Sequence, residues 1–243
     1  MRFFALIASV FLVTACSPPS RSVAVEFRAF FGDSPIACGE PGEQNVLSDL
    51  RFYVTDTESG AVQLVDLEDG TGACENGTPE TKSTVSLGVT DGSPTGIRFQ
   101  IGVPFDLNHA DPLQAVAPLN VSAMHWHWRS GYKFLSAGVR SVDDGFWIHV
   151  GSTGCEGTIR NISGCRSPNR ISVYLPDFDS ATDMVAVDLQ ALLATTDLAD
   201  GVATDCSSGP SEVSCIAPFT ALGLDHGSGE RVGEQRVFKA IPR

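Results

Sequence analysis

Apolar and polar side chains alternate in Ile97-Arg98-Phe99-Gln100-Ile101, and Arg51-Phe52-Tyr53-Val54 shows the same alternation. Successive side chains of a β-strand point to opposite faces, so this pattern is typical of a strand with one buried face. Strand-like runs separated by turn residues occur at 24–31, 50–56, 62–67, 83–89, 96–103, 123–134, 145–150 and 169–175. A helical pattern is confined to residues around 189–194. The sequence therefore predicts an all-β, antiparallel sandwich or irregular barrel with long, disulfide-stapled loops.

The N-terminus has the features of an export signal. Residues 1–15 combine one basic residue, Arg2, with an apolar run and with small residues just before Cys16. The end of this stretch, Val13-Thr14-Ala15-Cys16, resembles a bacterial lipoprotein box, in which the cysteine becomes the acylated N-terminus. A simple secretory signal with a chance cysteine is the alternative.

The remaining chain is long enough for one sizeable domain, and no linker rich in Gly, Ser or Pro divides it. We expect a lipoprotein signal peptide over 1–15, a tether over 16–22 and a single β domain over 23–243. The lipid on Cys16 would hold the domain on the periplasmic side of a bacterial membrane or at the cell surface.

The charge balance restricts the class of partner. The chain has 16 Lys and Arg against 29 Asp and Glu, a formal net charge of −13. Such a field repels nucleic acid and acidic lipid, and it attracts cations or a basic protein. A role in nucleic-acid binding is therefore excluded.

Six cysteines follow Cys16, and an even number in an exported chain is typical of disulfides. Joining sequence neighbours gives Cys38 with Cys74, Cys155 with Cys165 and Cys206 with Cys215, which is one of many formal pairings. No pair has the close double spacing of a structural zinc site.

Two of the five histidines and two of the three tryptophans lie in Met124-His125-Trp126-His127-Trp128-Arg129-Ser130-Gly131-Tyr132-Lys133-Phe134. In one strand, His125 and His127 would point to one face, and Trp126 and Trp128 to the other. On one interpretation the indoles fill a core and the histidines face solvent. On the other, the stretch contributes to a metal site with partners from elsewhere in the chain.

The other three histidines occupy different contexts. His109 lies in a loop rich in Pro, Asn and Asp, where it could be a ligand or could cap a turn. His149 precedes the glycine-flanked Ser152 and Thr153, and an ordinary strand histidine is the alternative. His226 lies among glycines and is the weakest candidate ligand.

Copper is the metal that this set of residues favours. Imidazoles from two segments would form a low-coordinate site, and an electron-rich aromatic ring beside them favours soft Cu(I). The indole nitrogen of tryptophan is only a donor, so the ring could contribute by a cation–π contact or after oxidation.

Other chemistries have weaker support. Ser152 lacks the spacing and the strand–turn–helix context of a nucleophile elbow, and we find no convincing acid/base pair, so we expect no enzyme. The carboxylates of Asp177, Asp179 and Asp183 could bind calcium, although the EF-hand spacing is missing.

The chain resembles the four-cysteine proteins of metallo-mystery pairs, the methanobactin-cluster periplasmic protein family, which is related to copper-binding surface proteins of methanotrophs. The matching pieces occur in the family's order over nearly the whole mature chain: Asp49-Leu50-Arg51-Phe52-Tyr53-Val54, Pro118-Leu119-Asn120, Met124 with Trp126 and Trp128, Ser130-Gly131-Tyr132-Lys133-Phe134, His149 with Gly151-Ser152-Thr153-Gly154-Cys155, Cys165 with Pro168-Asn169-Arg170, and Cys206 and Cys215 before Phe219 and Leu222-Gly223-Leu224.

This resemblance implies a secreted all-β protein that binds copper beside a tryptophan oxidised to kynurenine by a partner enzyme, a dihaem cytochrome c peroxidase-like protein. By position, Trp126 or Trp128 is the modified residue, and His109 and His149 are the imidazole ligands. His125 and His127 depart from the family pattern and are secondary metal candidates, and the pair Cys38 and Cys74 exceeds the family's four cysteines. The alternative function is a structural or adhesive surface domain without a metal site.

Overall fold

The computed structural model describes residues 20–40, 45–90, 96–140, 145–159, 161–193 and 205–243, so the expected signal peptide and Cys16 lie outside the described residues. The strands are β1 (Ser20–Phe31), β2 (Ser34–Pro35), β3 (Val46–Asp56), β4 (Val62–Asp66), β5 (Thr84–Thr90), β6 (Ile97–Ile101), β7 (His125–His127), β8 (Gly131–Arg140), β9 (Gly145–Gly151), β10 (Thr153–Thr158), β11 (Asn161–Ser167), β12 (Ile171–Leu175), β13 (Asp183–Asp188) and β14 (Phe238–Pro242). The helices are α1 (Phe105–Asn108), α2 (Leu189–Leu193) and α3 (Ile216–Ala221). Within the described ranges, none of the helices has the length and apolarity needed to cross a membrane.

Most strands belong to two sheets. The first has the order β14-β13-β1-β2, with β5 beside the first half of β1. The second has the order β12-β6-β3-β8-β7, with β4 also on β3 and β9 also on β8, and β10 and β11 form a separate hairpin. The strand pairs are antiparallel apart from β1 with β13, which is parallel. The predicted all-β fold is confirmed.

An aromatic cluster joins the two sheets. Phe27 of β1 packs edge-on against Phe52 of β3 at 5.3 Å between ring centroids, and against Phe99 of β6 at 5.7 Å. Phe238 of β14 packs against Phe52 at 5.6 Å. All four rings are at most 1% exposed. Edge-to-face packing adds to the free energy of burial, so these rings anchor the core between the sheets.

The three predicted disulfides are confirmed. The sulfur–sulfur distances are 2.09 Å for Cys38 with Cys74, 1.99 Å for Cys155 with Cys165 and 2.05 Å for Cys206 with Cys215. Cys155 and Cys165 are directly opposite each other on β10 and β11.

Two local expectations differ from the structure. Strand β1 already begins at Ser20, within the range expected as a tether, and residues 20–22 continue its antiparallel ladder with β5. A single strand over 123–134 is wrong: a 3-10 turn over Ser122–Met124 leads into β7, and the chain then reverses into β8. Gly131, with φ of +78°, allows this reversal. The expected short helix around 189–194 is observed as α2.

Strand β3 is buried along its whole length. Leu50 and Phe52 face the core between the sheets, whereas Tyr53 belongs to a second apolar cluster on the opposite face. That second face is covered by residues 103–130, which we call the covering segment. Its Val103, Leu119 and Met124 pack there with Tyr53, Leu64, Tyr132 and Phe134.

Next to this apolar cluster the second face carries a buried charged group, formed by Asp49, Arg51 and Glu68. Arg51 Nε lies 2.8 Å from Glu68 Oε1 and 3.4 Å from Asp49 Oδ1, and Glu68 is fully buried. One guanidinium faces two carboxyl groups here, so one of them is favoured to keep its proton. Burial, a hydrogen bond with Asp49 and the Asp49 charge raise the pKa of Glu68 to about 9. Burial disfavours the ionised form of Asp49 as well. Hydrogen bonds from Glu68 and Ser136 and the positive charge of Arg51 outweigh this effect, so the pKa of Asp49 is lowered overall.

We expect Gly131→Ala to destabilise the fold more than Gly60→Ala. Both glycines have positive φ, +78° and +73°, so each substitution costs about 1 kcal/mol in backbone strain. A methyl group at Gly131 would also overlap the oxygens of Asn108, whereas nothing lies within 4 Å at Gly60. The added cost is about 1–3 kcal/mol, measurable by denaturant unfolding. Equal losses of unfolding free energy in the two variants would show that the covering segment does not pack tightly against β8.

We expect Glu68→Gln to reduce the pH dependence of stability. Folded Glu68 holds its proton to about pH 9, whereas the unfolded side chain releases it near its usual value of 4.5. The folded state therefore binds more protons in this window, and the free energy of unfolding of the parent falls as pH rises. Glutamine cannot titrate, so its curve is flatter from pH 5 to 9. The exposed Glu75→Gln variant should follow the parent, and parallel curves for all three proteins would contradict the assignment.

Candidate functional site

The covering segment is attached to the start of β8 by polar contacts. Asn108, 1% exposed, accepts a hydrogen bond from the Tyr132 amide at 2.7 Å and donates one to the Ser130 carbonyl at 3.1 Å. The Tyr132 hydroxyl donates to the Leu119 carbonyl at 2.7 Å. These bonds satisfy buried polar groups, which would otherwise be costly, and they fix where the segment lies.

Trp126 of β7 lies against His149 of β9. Their ring centroids are 6.0 Å apart and the rings are perpendicular, at 89°. Both side chains are partly buried. Gly151 makes room for the indole, because a methyl group there would lie 3.0 Å from Trp126 Cζ3. The structure therefore brings together two of the predicted site residues, which are 23 positions apart in sequence.

The backbone of His149 is held from the other side by residues 205–208. The His149 amide donates to the Cys206 carbonyl at 2.8 Å, and the Ser208 hydroxyl donates to the His149 carbonyl at 2.8 Å. Cys206 is fully buried and is joined to Cys215. The disulfide thus secures the segment that positions this imidazole.

His149 has the electrostatics of a neutral imidazole. Burial lowers its pKa, and the nearby Lys133 ammonium lowers it further, with a smaller opposing effect from Asp49. A neutral imidazole has a lone pair, which is the form that binds metals. The Asp49 carboxylate is linked to this strand pair through Ser136, which is paired with His149 and donates to Asp49 Oδ2 at 2.5 Å.

The two tryptophans of the motif have different surroundings. Trp128 lies in the turn, beside the exposed His127 at 5.4 Å between ring centroids and beside the Arg129 guanidinium at 5.0 Å. Trp126 alone of these two indoles contacts His149 in the structure. The geometry therefore distinguishes two residues that the sequence left equivalent.

The secondary candidates His125 and His127 do not share a flat strand face. A register shift separates them in the pairing of β7 with β8. The His125 ring packs edge-on against Tyr132 at 5.0 Å, and burial together with the His127 charge lowers its pKa.

His109 has different neighbours from His149. It follows α1, and its Nε2 lies 3.4 Å from Cys165 Sγ and 3.2 Å from Asn108 Nδ2. Its ring packs against Phe105 at 4.8 Å, and burial lowers its pKa. Through Asn108 and Tyr132, His109 lies at the same end of β8 as Trp126. Within the described part of the chain, however, no group of three potential ligand atoms includes His149, whereas His109, Cys155 and Cys165 form such a group within 4.8 Å.

The remaining candidates have structural contacts. His226 Nε2 lies 2.8 Å from the Gly209 carbonyl, with its ring against Phe219. The Ser152 hydroxyl donates to the Pro168 carbonyl at 3.2 Å. Asp179 and Asp183 accept hydrogen bonds from backbone amides of their own turn, so part of their capacity is used there, and calcium binding stays a prediction.

Three residues of this region were missed by sequence reasoning. Asn108, Lys133 and Gly151 act on partners far away along the chain, and no local pattern marks such contacts. Gly151 alone carried a signal, because a glycine within a strand often indicates a close approach by another group.

Comparisons with known proteins agree with this architecture. A family model described as MbnP matches residues 20–208. The solved structure of MbnP from Methylosinus trichosporium is similar with a TM-score of 0.72, at 24% identity, over 92% of this chain and 99% of that chain. At this identity the structural likeness shows a common fold. None of the curated proteins compared with the chain matches it.

The matched range includes Trp126, His149, His109 and the pair Cys155 and Cys165, so it contains both the aromatic contact and the second cluster. It also covers well over half of the chain. The family resemblance inferred from the sequence is confirmed, and the chain belongs to the MbnP family.

Proposed function

We propose that this protein is a non-catalytic copper-binding protein whose centre forms at Trp126 and His149, after Trp126 has been oxidised to kynurenine. The observation that carries the proposal is the perpendicular contact of the two rings at 6.0 Å. The neutral imidazole of His149 supplies one nitrogen lone pair. His109 is the second candidate imidazole, and His125 and His127 are secondary candidates.

The modification would turn a poor ligand into a good one. Two molecules of hydrogen peroxide insert two oxygen atoms across the C2–C3 bond of the indole and leave two molecules of water. Hydrolysis of the resulting N-formylkynurenine releases formate and leaves an aryl amine and a ketone. The aryl amine has a free lone pair that the indole nitrogen lacks. Imidazole nitrogen suits copper, and we propose Cu(I) because it accepts a low coordination number.

The oxidant requires a partner, for which we propose a dihaem cytochrome c peroxidase-like enzyme. Trp126 keeps part of its surface exposed, so it is open to attack. We also propose export to the periplasmic side of a bacterial membrane or to the cell surface, with anchoring through acylated Cys16. Intact-mass analysis of the mature N-terminus tests the acylation.

We expect Trp126→Phe to abolish the modification and to weaken copper binding by at least about tenfold, whereas Trp128→Phe leaves both intact. The proteins should be purified from a host that also produces the partner enzyme. Peptide mass spectrometry locates kynurenine, and competition with a Cu(I) chelator gives the affinity. Kynurenine at residue 128 alone, or equal affinity in both variants, would overturn the assignment.

Histidine variants distinguish copper binding from the structural or adhesive alternative. His149→Ala should lose copper, while His226→Ala, whose ring contacts Phe219 and the Gly209 carbonyl, serves as the control. The structural alternative predicts no difference between them.

We expect Gly151→Ala to weaken copper binding by about tenfold, because its methyl group would lie 2.8 Å from the Tyr132 carbonyl and 3.0 Å from Trp126 Cζ3, so the indole must move. Gly164→Ala is the control, since nothing lies within 4 Å there. Thermal unfolding of both variants separates loss of the site from loss of the fold. Unchanged affinity in a folded Gly151→Ala protein would show that the Trp126 position is not critical.

A further inference from the structure

A second group of potential ligands includes neither Trp126 nor His149. It consists of His109 and the cysteines Cys155 and Cys165, whose ligand atoms lie within 4.8 Å of one another. The two cysteines face each other on β10 and β11 and are joined as a disulfide. A disulfide sulfur is a weak donor, but the two thiolates released by reduction are strong ligands for soft metals.

The neighbouring hydrogen bonds determine which His109 nitrogen carries the lone pair. The Tyr132 amide donates to Asn108 Oδ1, and the Ser130 carbonyl accepts from Asn108 Nδ2, so the orientation of this amide is settled. Asn108 Nδ2 is therefore a donor, and it lies 3.2 Å from His109 Nε2. In the neutral imidazole Nε2 must then be the unprotonated nitrogen, and the same Nε2 lies 3.4 Å from Cys165 Sγ.

The surroundings of the ring agree with a neutral donor. In this tautomer Nδ1 carries the single proton, and a second proton would have to go onto Nε2, where it would face the Asn108 Nδ2 donor. The buried Nδ1 has no hydrogen-bond partner within the described structure. Burial lowers the pKa of His109, which also favours the neutral imidazole. Before any metal is present, Nε2 already lies 3.4 Å from Cys165 Sγ.

The other sulfur cluster, formed by Cys206, Cys215 and Glu212, contains no imidazole donor and no exposed cysteine. Both of its cysteines are fully buried. Glu212 Oε2 already accepts a hydrogen bond from the Ser207 amide at 2.6 Å. Cys165, by contrast, is partly exposed on a hairpin that is separate from the two main sheets.

We propose that reduction of the Cys155–Cys165 disulfide opens a second metal site, in which two thiolates and His109 Nε2 bind one Cu(I) ion. A dithiol reductant supplies two electrons and two protons, which convert the disulfide into two thiols, and the reductant leaves as a disulfide. Cu(I) then replaces the two thiol protons, which pass to solvent. Two sulfur atoms and one imidazole match the preference of Cu(I) for soft, low-coordinate sites. The site is closed while the disulfide is intact.

The experiment uses the full chain with Trp126→Phe and His149→Ala, produced without the partner enzyme, so that both residues proposed for the Trp126 centre are removed. A water-soluble phosphine opens the disulfide by taking an oxygen atom from water, and alkylation with mass spectrometry identifies the reduced cysteines. Cu(I) is supplied as a complex with a chromogenic chelator. We expect no uptake before reduction and one Cu(I) per chain after it.

His109→Ala in the same background should weaken this uptake by about tenfold or more, while His226→Ala, whose ring contacts Phe219 and the Gly209 carbonyl, leaves it unchanged. A double Cys155→Ser and Cys165→Ser variant should take up none, and near-ultraviolet circular dichroism verifies its fold. His109→Ala keeps the disulfide, so the test does not depend on the double variant folding. Uptake that is insensitive to His109, or a disulfide that opens only when the chain unfolds, would overturn the proposal. The centre at Trp126 is tested separately, in oxidised protein, by His149→Ala, which leaves His109 and the two cysteines in place.

Discussion

The burial of both faces of β3 is the constraint on which the rest of the structure depends. All eleven residues of this strand are buried, although its sequence alternates between apolar and polar side chains. A two-layer sandwich covers only one face of each sheet. The second face of β3 therefore needs a cover from another part of the chain, and the covering segment provides it.

This cover determines where the candidate site lies. The segment leaves the end of β6, packs Leu119 and Met124 against the sheet, and returns as β7 along β8. Asn108 ties it to Tyr132, so β7 cannot shift along its neighbour without leaving buried polar groups unpaired. Trp126 is thereby placed over Gly151 and against His149. The functional proposal thus follows from how one sheet face is shielded from water.

The same arrangement separates two kinds of potential metal ligand. His149 lies on the sheet next to Trp126, where aromatic and charged side chains surround it. His109 lies at the edge of the segment and meets the sulfur atoms of the β10–β11 hairpin. Each of these histidines has a disulfide near it. The Cys206–Cys215 disulfide secures the segment whose backbone binds His149, and the Cys155–Cys165 disulfide lies beside the His109 ring. Two histidines expected to share one centre therefore have separate neighbours.

The sequence by itself determined the all-β class, most of the strands and the family, because these follow from local alternation, turn residues and ordered motifs. It offered the observed cysteine pairing as one of many, and the structure confirmed it. It also selected Trp126, His149 and His109 as residues of interest. Only the tertiary structure decided that 123–134 is a hairpin, that Trp126 rather than Trp128 meets His149, and that His109 lies beside a disulfide. These outcomes depend on contacts between residues distant in sequence, such as Asn108 with Tyr132 and Trp126 with Gly151. Local sequence patterns do not predict such contacts.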